Sequence, residues 1–295
     1  MRTSLLARLV VAAPLTLATA AAGGAEPRTR TVYVSIHDGK GGAVADLGPA
    51  DFTVKEGGKE REVVTAEPAS TKMTVAVLLE DRLAGDSSIR MGLYEFAKRL
   101  RGTAEIALIT VGMRNDVVVD YTEDLNAFVN GLNALSLNPN PSSNLTEGIL
   151  SLARDLERKA PERPVIVALA LSGAQMGGPS ASHVLTDLRQ SRATMYAVTM
   201  AGAGGGEGLE NMGDGAQREQ VLGDGPKHSG GRRFEVTRPD AMAKALQQVA
   251  ADLETQYVIR YTLPDGVKPD RRLNVTLKRR GLTFRAPSAI ADRGR

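Results

Sequence analysis

Val75-Ala76-Val77-Leu78-Leu79 is an unbroken apolar run followed at once by Glu80 and Asp81. A short continuous run of this kind is the signature of a strand buried on both faces of a parallel sheet. Similar runs recur at 106–111, 165–171 and 195–200, with helical patterns between them. One helical pattern lies between Met91 and Leu100. A second starts near Asn144, where Asn144 and Glu147 have capping-box spacing and Leu145, Ile149, Leu152 and Leu156 recur on one face. A third runs from Val184 to Arg189. A fourth follows Thr237, whose spacing to Asp240 suits a cap, and places Met242, Leu246, Val249 and Leu253 on one stripe. Strands alternating with helices predict an α/β fold over residues 72–256, a doubly wound and mostly parallel sheet.

Outside this block the pattern changes. In residues 30–68, Val32, Val34 and Ile36 alternate with Tyr33, Ser35 and His37, the period-two pattern of a half-buried strand. Asp38-Gly39-Lys40-Gly41-Gly42 reads as a turn, Phe52 to Lys55 as a second strand, and Gly57-Gly58 as the turn into a third through Val63 and Val64. The tail, 257–286, is again β-rich: Tyr257 to Leu263 form one segment, then Leu273, Val275 and Leu277 alternate with polar neighbours. These late strands need partners, and the nearest unsatisfied strands are those of the first unit, so the N- and C-terminal segments are expected to form one small β subdomain. Between Ala201 and Gly231 the chain is dense in glycine and poor in apolar residues, which reads as a long mobile loop.

The first 25 residues carry Arg2 and Arg8, an apolar middle and the small residues Ala21, Ala22, Gly23, Gly24 and Ala25. That order predicts a secretory signal peptide and an exported protein, periplasmic or secreted, with no transmembrane segment after cleavage. The formal charge of +3 includes Arg2 and Arg8, so the mature chain sits near +1, which is no nucleic-acid footprint. With no cysteine in the chain, neither a disulfide nor a lipid-modified cysteine is possible, and stability must come from the packed core.

Signals for catalysis are sparse. His37, His183 and His228 stand far apart and show no metal-ligand spacing. Ser172-Gly173 lacks the flanks of a nucleophile elbow. The glycine-rich segment lacks the Lys-Ser/Thr ending of a phosphate loop. What remains are the loops at the carboxyl ends of the parallel strands, where doubly wound sheets bind ligands. These carry Glu80 and Asp81 after the first run, Thr146 at the start of a helix, and Ser172 after the run at 165–171.

Several separate segments in the right order resemble the von Willebrand factor A (VWA) domain, and in particular the bacterial VWFA-related proteins. They are the opening strand and turn from Val32 to Gly42, and Leu47-Gly48-Pro49-Ala50-Asp51-Phe52-Thr53-Val54-Lys55-Glu56-Gly57-Gly58-Lys59. Later come Ser229-Gly230-Gly231-Arg232-Arg233-Phe234 and Leu253-Glu254-Thr255-Gln256-Tyr257-Val258-Ile259-Arg260-Tyr261. The resemblance spans roughly residues 30–286 and implies a Rossmann-like VWA fold. It further implies a metal-ion-dependent adhesion site (MIDAS), built from an Asp-x-Ser-x-Ser run, a Thr and a later Asp, whose hard oxygens suit Mg²⁺.

This chain departs from that pattern. It has Glu80-Asp81-Arg82-Leu83-Ala84 where Asp-x-Ser-x-Ser should stand, Thr146 in place, and Ser172 where the later Asp is expected. Asp81 and Thr146 are the metal ligands left, and they predict weak Mg²⁺ binding at most and no tightly held cofactor. Asp86 reads as a helix cap rather than a replacement ligand. The expected function is a non-enzymatic extracytoplasmic interaction module with a degenerate MIDAS, recognising a protein or cell-envelope component. The alternatives are an envelope-associated hydrolase using Glu80, Asp81 or Ser172, and a structural envelope protein.

Overall fold

The computed structural model describes residues 28–112, 114–136, 143–173, 175, 177–201 and 214–291. The expected signal peptide lies outside the described residues. The chain opens with strands β1 (Arg28–His37), β2 (Phe52–Glu56), β3 (Lys59–Arg61) and β4 (Val63–Pro68). The α/β block follows: β5 (Met73–Glu80), α1 (Ser87–Arg99), β6 (Ala104–Val111), β7 (Asn115–Thr122), α2 (Leu125–Ala134), α3 (Leu145–Lys159), β8 (Pro164–Leu171), α4 (Ala181–Ser191), β9 (Thr194–Met200), α5 (Asp214–Ser229), β10 (Arg233–Val236) and α6 (Pro239–Glu254). It ends with β11 (Gln256–Leu263), β12 (Leu273–Leu277) and β13 (Thr283–Arg285).

The run that opened the sequence analysis lies in β5, at the middle of a six-stranded sheet ordered β10-β9-β8-β5-β6-β7. All neighbours are parallel except β7, which returns antiparallel along β6. Every residue of β5 and of β8 is buried, because helices cover both faces. Alternation divides β5 between two cores: Val75, Val77 and Leu79 pack with α1 and α6, whereas Ala76 and Leu78 pack with α3 and α4. Gly92 of α1 permits a close crossing, since a Cβ there would lie 2.7 Å from Ala243 Cα of α6.

The sequence reading missed or misplaced several elements. Its mobile loop at 201–231 is corrected in part: 214–229 form helix α5, while 202–213 lie outside the described residues. The helix is buried through Gly215, Arg218, Val221, Leu222, Gly225 and Pro226. That is a helical repeat hidden by small residues and one arginine. Gly225 is small for a reason, because a Cβ there would stand 2.7 Å from Met195 Sδ. Thr237 is not the cap of α6; Arg238 is, with no side-chain cap bond and Pro239 opening the helix. Asn144 accepts from the Glu147 amide at 3.3 Å, and Asp86 accepts from the amides of Ser88 at 2.8 Å and Ile89 at 3.1 Å.

The terminal strands pair with one another. β11 lies between β1 and β4, antiparallel to both, and β13 adds to the far side of β1. A second, three-stranded sheet is ordered β12-β2-β3. Val34, Ile36, Phe52, Val54, Ile259 and Tyr261 fill the space between them. Glu56 is completely buried there, and its carboxylate accepts from Arg30 Nη1 at 2.6 Å, Tyr261 OH at 2.7 Å and the Asp270 amide at 2.9 Å. A buried carboxylate so fully satisfied specifies the packing of the two sheets.

Candidate functional site

The carboxyl edge of the parallel sheet gathers the residues singled out from the sequence. Glu80 is the last residue of β5 and pairs in register with Val111 of β6. Asp81 begins a short 3-10 turn, is half-buried, and its carbonyl accepts from the Ala84 amide at 3.0 Å. Arg82 is exposed, whereas Leu83 and Ala84 are buried in the core and turn no polar side chain to the edge. Arg90 of α1 anchors this turn by donating from Nε to the Ala84 carbonyl at 2.8 Å. Ser172 follows β8, half-buried, its amide donating to the Met200 carbonyl at 2.7 Å. Thr146 sits in the first turn of α3, fully buried, and the Asn144 amide hangs that turn from the Gly112 carbonyl at 3.1 Å.

Two of these groups are engaged by residues that sequence reasoning did not find. Glu80, 4% exposed, faces Arg218 of α5, 1% exposed. Nη1 and Nη2 of Arg218 donate to Oε1 and Oε2 of Glu80 at 3.2 Å each, in a parallel fork. Arg218 Nη2 also donates to the Leu171 carbonyl, and the Leu171 amide donates to Glu80 Oε2 at 2.6 Å. Glu80 and Arg218 thus cross-brace the ends of β5 and β8. Thr146 is met by Gln175, itself 4% exposed: Gln175 Nε2 donates to Thr146 Oγ1 at 2.6 Å, and Gln175 Oε1 accepts from the Thr146 amide at 3.3 Å. Helix α5 is stitched to the same edge at two further points. Asp214 Oδ2 accepts from the Gly177 amide at 2.7 Å and Gln217 Oε1 from the Ala181 amide at 2.7 Å.

The sequence did hold a signal for Arg218. Arg218, Val221, Leu222 and Gly225 stand at helical spacing. The charge at the first of these positions masks the stripe. Gln175 lies in irregular chain, and nothing in its neighbourhood marks it.

Among the described residues no three of His, Cys, Asp and Glu come together as a metal cluster. The histidines are spread through the fold. His37 meets Asp252 at 3.6 Å, His183 meets Asp187 at 3.8 Å, and His228 lines a small cavity beside Arg189 and Thr194. Tyr196, fully buried beneath the sheet, has its hydroxyl pushed up to about 12, chiefly by burial. It is a core residue, not an acid or base at neutral pH.

Counted from β5, the six strands of the parallel sheet stand in the order 3-2-1-4-5-6 with the third antiparallel. That order, with ligand-face loops after the first and fourth strands, defines a doubly wound, Rossmann-like α/β domain. No protein-family model matches the chain, and no curated protein matches it in sequence. Solved structures resemble it distantly. An aerotolerance-related membrane protein from Bacteroides fragilis is 14% identical over 60% of this chain and 98% of its own, with a TM-score of 0.42. BatB from Bacteroides thetaiotaomicron is 11% identical over 62% of this chain and 99% of its own, at 0.45. Proximal thread matrix protein 1 from the mussel byssus, described with a zinc-occupied MIDAS motif, is 14% identical over 65% of this chain, at 0.48. This chain spans about half of the mussel protein, 48% of its length.

Proposed function

We propose that this protein is an exported, non-enzymatic interaction module of the VWA type, whose ligand face recognises a protein or cell-envelope component without a metal ion. One observation carries the reading. Of the three positions that could offer a metal oxygen here, Glu80, Asp81 and Thr146, two already have internal partners: Glu80 in Arg218 and Thr146 in Gln175. A hard dication needs several oxygens free to replace its waters. Here it would have to displace a buried guanidinium whose own charge repels it, and break the hydrogen bond that the Gln175 amide donates to Thr146. Leu83 and Ala84 supply no donor and Ser172 no formal charge. The donor set does not fit Mg²⁺.

Recognition then runs through direct contacts on the loops around 80–85, 140–146 and 172–179, of which 140–142, 174 and 176 lie outside the described residues. Arg82 and Gly85 are exposed there. The test is to place a photo-crosslinking side chain at Arg82 or Gly85 and irradiate in the native envelope. A discrete protein adduct that persists in chelator supports the reading. No adduct from either position, or one abolished by chelator, refutes it. If instead a hydrolytic activity copurifies with the protein and is lost in Asp81→Asn while folding is kept, the protein is an enzyme.

A further inference from the structure

A second surface, away from the parallel-strand edge, has its own chemistry. Residues 268–285 carry seven Lys and Arg against one acid, Asp270. In the middle of that stretch lies β12, the edge strand of its sheet, paired on one side with β2. On its other side the segment near Ser288 covers only the start of β12, where the Leu273 amide donates to the Ser288 carbonyl at 3.1 Å. Backbone groups in a strand alternate sides. Leu273 points away from β2, so Val275 and Leu277 also turn their N–H and C=O outward. Among the described residues no strand pairs with them.

The start of that free edge forms one wall of a cleft of about 600 Å³ between the terminal β subdomain and the α5–β10 corner. Its charged lining is wholly cationic: Lys227, Arg232, Arg233 and Arg285. Their counter-ions are not part of that lining. Asp252, 4% exposed, holds Arg285 and lies 3.8 Å from Arg232, while Glu219 and Glu235 hold Arg233 at 2.8 and 3.1 Å. Lys227 is exposed and has no ion pair among the described residues. The Nε atoms of Arg232 and Arg285 are buried without a hydrogen-bond partner.

We infer that this cleft binds an extended acidic peptide, which adds to β12 as a further strand and sets its carboxylates against Lys227 and the flanking arginines. Main-chain bonds to Val275 and Leu277 supply affinity, and the cations select the sequence. The charge that keeps neutral edges from pairing indiscriminately here admits an acidic one.

The probe is a fluorescein-labelled alternating Glu-Val heptapeptide, followed by anisotropy on the whole protein. Expected are saturable binding that weakens with added salt, no binding of the Lys-Val counterpart, and slower amide exchange at Val275 and Leu277 in the complex. Val275→Pro removes an N–H that β2 does not use, at a position where an edge strand tolerates proline, and its melting curve checks that the fold is kept. It should weaken the peptide about tenfold, the factor produced by losing one or two net backbone hydrogen bonds. Lys227→Glu should weaken it comparably. Absence of saturable binding overturns the inference. So does binding unchanged by Val275→Pro with no exchange protection, or binding that inorganic phosphate or duplex DNA competes away as readily as unlabelled peptide.

Discussion

Replacing Arg218 by methionine removes a guanidinium that is 1% exposed and leaves Glu80, 4% exposed, with one remaining bond among the described residues, from the Leu171 amide at 2.6 Å. Methionine keeps most of the apolar stem, so the loss falls on the charge. Breaking a buried pair at one partner costs about 3–5 kcal/mol, because the other charge stays buried and uncompensated. For a chain of this size each kcal/mol moves the melting temperature by about 2–4 °C, so Arg218→Met should melt about 6–20 °C below the parent. The double variant Glu80→Gln with Arg218→Met should recover part of the loss, about 1–3 kcal/mol of coupling. Urea unfolding of the parent and both variants at neutral pH measures all of this. An Arg218→Met protein within about 0.5 kcal/mol of the parent at neutral pH, the range of most surface substitutions, would refute the idea that the pair braces the sheet edge.

Three further outcomes follow from the same structure. His37 is held below its ordinary pKa of 6.5, first by burial and then by the charges of Arg285 and Arg232, with Asp252 opposing them. The unfolded chain therefore binds a proton that the folded one refuses, so this contribution is intact above about pH 6.5 and lost as pH falls through the folded-state value. Between pH 7.5 and 5, urea midpoints should fall more for the parent than for His37→Gln, and parallel profiles would contradict this. Deleting 257–295 removes β11 from between β1 and β4 together with the buried Tyr257, Ile259 and Tyr261, and should give aggregation in place of a soluble fold; a soluble truncation of equal stability would show that the ends do not depend on each other. N-terminal sequencing of exported material should begin near Gly23 or Glu26, and an intact Met1 on membrane-bound protein would favour an uncleaved anchor.

The α/β architecture was legible because buried parallel strands leave continuous apolar runs. The runs at 75–79, 106–111, 165–171 and 195–200 became β5, β6, β8 and β9. Strand β7 escaped notice because Asn115, Asp116 and Val117 are exposed at the sheet margin, where pattern is weakest. Helix α5 escaped because its buried stripe is made of glycines, Val221, Leu222 and a charged Arg218, a combination that hydropathy reads as linker. The ligand-face positions could be named from strand ends and family pattern, but not what they touch. Glu80 and Arg218 are 138 residues apart, and Thr146 and Gln175 are 29 apart. Pairings across such distances are set by tertiary packing and leave no local periodicity to read.

The central claim, a VWA-type face that works without a metal, is tested most directly by thermal unfolding of the whole protein against rising Mg²⁺ and Mn²⁺. An ion bound to the folded state at 100 times its dissociation constant would add about 2.7 kcal/mol, a readily measured shift. With Glu80 held by Arg218 and Thr146 by Gln175, the account predicts no saturable shift at millimolar ion and none on adding chelator. A saturable stabilisation that disappears in Asp81→Ala would contradict it and return the ion to the site.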